Sequence, residues 1–190
     1  MKRSDLLFWR RYLRRPLGVG AVVPSGPSLA KAMVTTLAPG PEDIVVEIGP
    51  GTGPFTRALL AAGVSPSRLI LVEFDKEFVR HLRQNFPGVT VLHGDAQELP
   101  RLLKEHGHEK VPCILSGLPL RSMPEAIRTG ITRAMAASLA DGGKLVQFSY
   151  FREPPLAEAE VRAAGLTARR ARTIMANVPP AFVWRYGRES

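Results

Sequence analysis

Residues 44–55 read Ile-Val-Val-Glu-Ile-Gly-Pro-Gly-Thr-Gly-Pro-Phe, and no other stretch of the chain restricts the fold as much. The β-branched apolar run predicts a strand buried on both faces, as in parallel sheets. It carries an acidic residue, Glu47, near its end and runs into three glycines at alternate positions, Gly49, Gly51 and Gly53. Pro54 then opens a helical pattern, at a position where its missing N–H costs nothing. Strand, glycine turn and helix N-terminus are the parts from which open α/β sheets build a nucleotide-type site. The glycines take φ values closed to other residues and let a ligand approach the backbone. The turn departs from the dinucleotide fingerprint G-x-G-x-x-G/A, because Pro54 stands at its last position counted from Gly49.

Strand and helix patterns alternate along the rest of the chain. Strands are predicted at 44–48, 69–73, 89–92, 111–115, 144–150, 167–174 and 181–186, and helices at 28–37, 54–62, 76–85, 124–139 and 155–164. This alternation predicts an α/β fold, a largely parallel sheet covered by helices on both faces. The last two strands, joined through Asn177-Val178-Pro179-Pro180, suit an antiparallel hairpin at the sheet edge. Ahead of this domain (28–190), residues 1–27 read as a helix and a Gly/Pro-rich loop. Ser4 is the N-cap and Pro16 the stop, with Leu6, Trp9, Tyr12 and Leu13 on one side and Arg3, Arg10, Arg11 and Arg14 on another.

The 190 residues suit one domain with a substantial core, and 45% apolar with 23% charged residues is a globular composition. Arg10 and Arg11 interrupt the apolar N-terminal stretch, so a signal peptide is not expected and a cytoplasmic chain is. Cys113, the single cysteine, is expected to be a core residue. His81, His93, His106 and His108 lack metal-ligand spacing, and no metal site is expected. A net charge of +9 and a pI of about 10.4 call for an anionic partner, either nucleic acid or a membrane surface. Six of the 26 basic residues fall in the first fifteen positions.

Ligands of open α/β sheets bind beyond the C-terminal strand ends. The second strand ends in Glu73-Phe74, 22 residues past Gly51, where a carboxylate can accept hydrogen bonds from a ribose diol. The third leads into Gly94-Asp95-Ala96 and the fourth into Ser116-Gly117-Leu118-Pro119-Leu120. Each has a plain structural reading as a cap or turn; four such signals in order at strand ends do not. The Glu-x-Gly-x-Gly-x-Gly pattern resembles the first motif of class I methyltransferases that use S-adenosylmethionine (SAM). That resemblance implies SAM, becoming S-adenosylhomocysteine, held by Glu47, Gly49, Pro50, Gly51, Thr52, Gly53, Glu73, Phe74, Asp95, Ala96 and Ser116. Asp95 is expected on the adenine amino group with the Ala96 N–H on a ring nitrogen.

The fourth-strand motif bears on the methyl acceptor. In rRNA adenine dimethylases the matching tetrapeptide is Asn-Leu-Pro-Tyr, whose amide and a backbone carbonyl hold the amine while the ring stacks on the base. Here it is Gly117-Leu118-Pro119-Leu120, without amide or ring. Base stacking contributes about 1–3 kcal/mol in single-strand binding, so its loss weakens the nucleic-acid reading. Several segments together resemble the short bacterial phospholipid N-methyltransferases. They are Phe8-Trp9 with its arginines, Gly20 to Ser25, Glu47 to Gly53, Ser116 to Leu120, Gln147-Phe148-Ser149-Tyr150 and Asn177 to Tyr186. The resemblance implies methylation of phosphatidylethanolamine; whether transfer continues through mono- and dimethyl intermediates to phosphatidylcholine does not follow from it. It places the enzyme peripherally on the inner face of the cell membrane, with no nucleic acid and no obligate protein partner. The candidate catalytic residues are Ser116, Leu118, Pro119 and Tyr150, and the candidate lipid-binding residues Trp9, Tyr12, Arg185 and Tyr186. The basic aromatic N-terminal helix reads as an interfacial binder, or else as a plain cap on the domain. Two alternatives stay open: an RNA adenine N-methyltransferase, and a membrane-associated SAM binder without catalysis.

Overall fold

A computed structural model describes residues 26–175 and 179–188, which build seven strands and six α-helices. In chain order these are α1 (Pro27–Leu37), β1 (Val45–Ile48), α2 (Pro54–Ala61), β2 (Leu69–Glu73) and α3 (Lys76–Asn85). Then come β3 (Thr90–His93), α4 (Leu99–Glu105), β4 (Val111–Ser116), α5 (Glu125–Ser138) and β5 (Leu139–Ser149), followed by α6 (Glu158–Ala163), β6 (Thr167–Ile174) and β7 (Ala181–Gly187). The sheet order is β3-β2-β1-β4-β5-β7-β6, parallel as far as β5, with β7 antiparallel to both its neighbours. Strand order reverses between β1 and β4, and that switch point opens the crevice in which open α/β sheets bind ligands.

Every residue of β1 and β2 is buried, which is why their sequences lack polar alternation. Val46, Ile48, Ile70, Val72 and Ile114 pack on the face covered by α4, α5 and α6. Val45, Leu69, Leu71, Cys113 and Leu115 pack on the face covered by α1, α2 and α3. Glu47, alternating with Val46 and Ile48, therefore points to the α2 side. Cys113 is fully buried in this second cluster, and burial pushes its thiol up to about 12.

Helix α4 lies in a stretch for which the sequence reading assigned no element. Leu99, Leu102 and Leu103 follow helical spacing and bury one face, with Pro100 in the first turn, so the signal was present but short. Strand β5 begins at Leu139 rather than at 144; its pairing with β4 shifts between Val111 and Cys113, absorbing Asp141-Gly142-Gly143 in an irregularity. The final pair is antiparallel, yet β7 is not an edge strand. It inserts between β5 and β6, which buries Ala181, Phe182, Val183, Trp184 and Tyr186. The proposed N-terminal helix, with Trp9 and Tyr12, lies outside the described residues, as does Asn177.

Candidate active site

Four strand ends converge at the switch point. After β1 the backbone takes positive φ at Gly49 (67°), Gly51 (56°) and Gly53 (79°), conformations that favour glycine at all three positions. The turn is tied down by Gly49 N–H to Val72 O (2.9 Å) and Gly53 N–H to Pro50 O (2.8 Å). A Cβ at Gly51 would meet nothing within 4 Å, so the turn has open space at its tip, whereas one at Gly49 would collide with the Leu118 side chain. Pro50 is buried and Thr52 exposed, the Thr52 carbonyl accepting from Arg57 (3.0 Å).

Glu73, at the end of β2 and 4% exposed, reaches this turn. Its Oε2 accepts from Gly51 N–H (3.1 Å) and its Oε1 from Asp75 N–H (2.9 Å). Burial raises its pKa, and those N–H groups oppose the rise. Phe74 is half-buried, its carbonyl 3.0 Å from His93 Nε2. Asp95 is buried, and its Oδ1 accepts from Gln97 N–H (2.9 Å) while Oδ2 accepts from Gln97 Nε2 (3.2 Å). Gln97 in turn packs against Gly130 of α5, where an added Cβ would collide with Gln97 Oε1 and force that side chain to shift. Gln97 is thus a support for Asp95 that the sequence did not single out; its two hydrogen bonds to the carboxylate reveal it. Ala96 is buried beside it.

Glu47 is fully buried on the α2 side of β1. Thr56 Oγ1 donates to its Oε2 at 2.7 Å, and Oε1 has no partner. Desolvation dominates, with a smaller push from the Glu73 charge and a smaller pull from Arg57, and lifts its pKa to about 8. A buried acidic oxygen without a donor is suited to a ligand that brings N–H groups or positive charge. An open glycine turn, a ribose-competent carboxylate and this unpaired acid together fit SAM, a zwitterionic amino acid joined through a sulfonium to a nucleoside. When bound, SAM supplies an activated methyl group. Glu73 would hold the ribose, Asp95 and Ala96 the adenine, and Glu47 with residues 49–53 the amino-acid end.

The acceptor side is formed by the loop after β4. Ser116 is fully buried, and its Oγ faces Leu118 N–H at 3.4 Å. Gly117 N–H continues the ladder to Ile48 O (2.8 Å), and a Cβ on Gly117 would stand 2.8 Å from the Gly49 carbonyl oxygen and 3.3 Å from Phe55. Pro119 is half-buried and Leu120 buried. Tyr150 packs edge-on against Phe148 (5.4 Å), which packs edge-on against Phe55 (5.8 Å). Tyr186 needs correction as a lipid ligand: it is fully buried, its hydroxyl receives Leu156 N–H at 3.5 Å, and it pairs with Leu145, well down β5 from the site. Arg185 is exposed but pairs with Val146, also away from the strand ends. Interior placement of β7 buries Tyr186, and the register with β5 sets both residues back from the strand ends. Among the described residues, no group of His, Cys, Asp and Glu is placed to hold a metal ion.

A family model described as a methyltransferase domain matches residues 45–143. The chain belongs to that family. It is a SAM-dependent methyltransferase with the class I fold. A glycopeptide N-methyltransferase, MtfA, solved with sinefungin, superposes with a TM-score of 0.66 at 13% identity, covering 92% of this chain and all of that one. TrmN from Thermus thermophilus gives 0.68 at 20% identity over 89% of this chain and 51% of its own. Among sequence relatives, the ornithine lipid N-methyltransferase of Singulisphaera acidiphila is 31% identical over 77% of this chain and 78% of its own length. The ribosomal RNA small subunit methyltransferase A of Methylococcus capsulatus is 39% identical, over 38% of this chain and only 28% of that protein.

A first prediction concerns the Gly117 contact. Gly117→Ala is expected to weaken SAM binding at least tenfold and lower Tm, because the neighbour that must yield is the backbone carbonyl of Gly49. Calorimetric titration with SAM and a thermal melt check it.

Proposed function

We propose that this methyltransferase transfers the methyl of SAM to the amine of a membrane lipid, phosphatidylethanolamine in the first instance, with successive rounds leading to phosphatidylcholine. The observation that carries the reading is the packing at Gly117: the position that holds a base-binding amide in rRNA adenine dimethylases has no room here even for a Cβ. An acceptor without a planar base to clamp, such as a primary alkylamine, suits that loop. The relative named an ornithine lipid N-methyltransferase supports an amino-lipid acceptor over most of the chain, whereas the matches to rRNA enzymes cover less.

The rim of the site adds support. Among the described residues, the exposed large hydrophobics are Phe151 (51%) and Met175 (72%). They follow the ends of β5 and β6, parallel to each other and on the same side of the sheet as the glycine turn. The guanidinium of Arg121 lies over the Phe151 ring at 5.8 Å, and Arg152 is exposed next to it. An apolar tip flanked by cations suits the interface of an anionic bilayer. No helix among the described residues is long and apolar enough to cross a membrane. The N-terminal residues 1–27 would supply further docking through Trp9, Tyr12 and the arginines, next to the catalytic domain of 28–190. A peripheral enzyme at the cytoplasmic membrane face follows from this reading.

Ser116, Leu118, Pro119 and Tyr150 would shape the acceptor site, and alignment of amine and methyl is the main catalytic lever, contributing up to ~7–11 kcal/mol in well-oriented systems. Labelled SAM offered with phosphatidylethanolamine vesicles, ornithine-lipid vesicles or total RNA tests the reading. Label in a lipid is expected; label in RNA alone would overturn it. Deleting residues 1–15 is expected to abolish sedimentation with anionic vesicles and to spare SAM binding. Exchanging both Phe151 and Met175 for aspartate is expected to cut turnover on vesicles tenfold or more at unchanged SAM affinity, since insertion of each side chain contributes up to about 2 kcal/mol.

A further inference from the structure

The Leu118 carbonyl of the acceptor loop is already saturated. A carbonyl oxygen has two lone pairs. Leu118 O accepts from Leu120 N–H at 2.9 Å and from Gln147 Nε2 at 2.7 Å. Gln147 stands on β5 in register with Ser116, the last residue of β4, and is fully buried. Its second N–H goes to Phe148 O at 3.0 Å. Both partners are carbonyl oxygens, so the NH2 end must face them and the orientation of the amide is set. That leaves Oε1, which is sealed from solvent and has no hydrogen-bond partner. An unpaired buried carbonyl is costly in a native fold and points to a donor that arrives with a ligand.

We propose that Gln147 is the amine-binding residue of the acceptor site: its NH2 group holds the Leu118 turn, and its Oε1 accepts the N–H of a primary or secondary substrate amine, as in the first two transfers. The inference rests on the amine-methylation reading above and names the group that takes the place of the amide missing at Gly117. Its chemistry suits the reaction better than a carboxylate would. The nitrogen lone pair must form the new N–C bond while the C–S bond breaks with its electrons left on sulfur, and one N–H proton passes to water. An alkylammonium has no such lone pair. A neutral carboxamide attracts the N–H without the negative charge that would hold the amine protonated.

The test compares wild type with Gln147→Met, similar in length but unable to accept, and Gln147→Glu, which keeps an acceptor and adds charge. Turnover of phosphatidylethanolamine in mixed micelles is followed from pH 6 to 10, with SAM affinity by calorimetry. Gln147→Met is expected to lose thirtyfold or more in kcat/KM for the lipid with SAM affinity within threefold of wild type. Gln147→Glu is expected to move the alkaline-rising limb of the kcat profile to higher pH by holding the amine protonated. Retention of wild-type kcat/KM by the Met variant overturns the proposal. So does a parallel loss of SAM affinity in both variants, which would make Gln147 a structural residue. A wild type that methylates no amino lipid overturns the lipid reading itself and this inference with it; active wild type with an indifferent Gln147 overturns only the latter.

Discussion

Replacement of Glu73 by leucine is expected to weaken SAM binding by roughly 10²–10⁴-fold. Two ribose hydroxyls donating to a carboxylate contribute about 1.5–3 kcal/mol each, and every 1.4 kcal/mol is tenfold. The loss extends to the turn, because Glu73 Oε2 receives the N–H of Gly51 and Oε1 that of Asp75. With leucine those donors lose their partners while the tip at Gly51 is released. Glu73→Gln keeps one acceptor oxygen and is expected to fall between the two. Calorimetric titration with SAM, with S-adenosylhomocysteine as a second ligand, measures the effect. An affinity for Glu73→Leu within threefold of wild type would show that Glu73 is only a helix-entry cap.

The second large effect is a pH dependence carried by Glu47. Its unliganded pKa is about 8, displaced upward by desolvation, so at pH 7 the acid is mostly protonated. A ligand with an ammonium and a sulfonium favours the ionised form, so binding releases a proton below about pH 8. Affinity for SAM is expected to rise up to tenfold per pH unit from 6 toward 8 and to level above it. Glu47→Gln removes that slope. Stability moves the other way. The folded pKa lies above the ordinary 4.5, so the folded state holds a proton that the unfolded state has lost between pH 4.5 and about 8. Stability of the unliganded wild type is therefore lost as pH rises through that window, by at most about 5 kcal/mol. Glu47→Gln is expected to melt at higher temperature than wild type at pH 8.5 and to converge with it at pH 5. Flat SAM affinity of the wild type across pH 6–8 would refute this role. The Thr56 hydroxyl, which donates to Glu47 Oε2, belongs to the same unit. Thr56→Val is expected to push the acid higher still and shift the affinity profile to higher pH.

Much of the fold was legible because its signals are local. The buried parallel strands lack polar alternation, and β2 and α3 run over the predicted residues, with Asp75 capping α3 through its contacts with Glu77 and Phe78 N–H. The short helix Leu99–Glu105 escaped because seven residues carry too little periodicity beside a proline. The placement of β7 was beyond reach for a different reason. Two antiparallel strands read identically whether the last stands outside or inside its partner, and only pairing with β5 buries Tyr186 and removes it from the candidate lipid ligands.

The cofactor site divides along the same line. Glycine spacing and acidic strand ends are covalent facts, and with the parallel topology they place a nucleotide-type site at the switch point, which the resemblance to class I methyltransferases narrows to SAM. What happens between those ends is decided by distances across the sheet. That Glu47 is sealed with one oxygen unpaired, that Gly117 has a backbone carbonyl where a side chain would go, and that Gln147 turns its amide onto the Leu118 carbonyl all depend on residues far apart in the chain. The sequence, through its motif resemblance, pointed to the methyl donor, and the family match bears that out. The proposed acceptor was read first from Gly117-Leu118-Pro119-Leu120, and its structural support comes from packing between β1, β4 and β5, because hydrogen-bond saturation and steric exclusion exist only once those strands lie side by side.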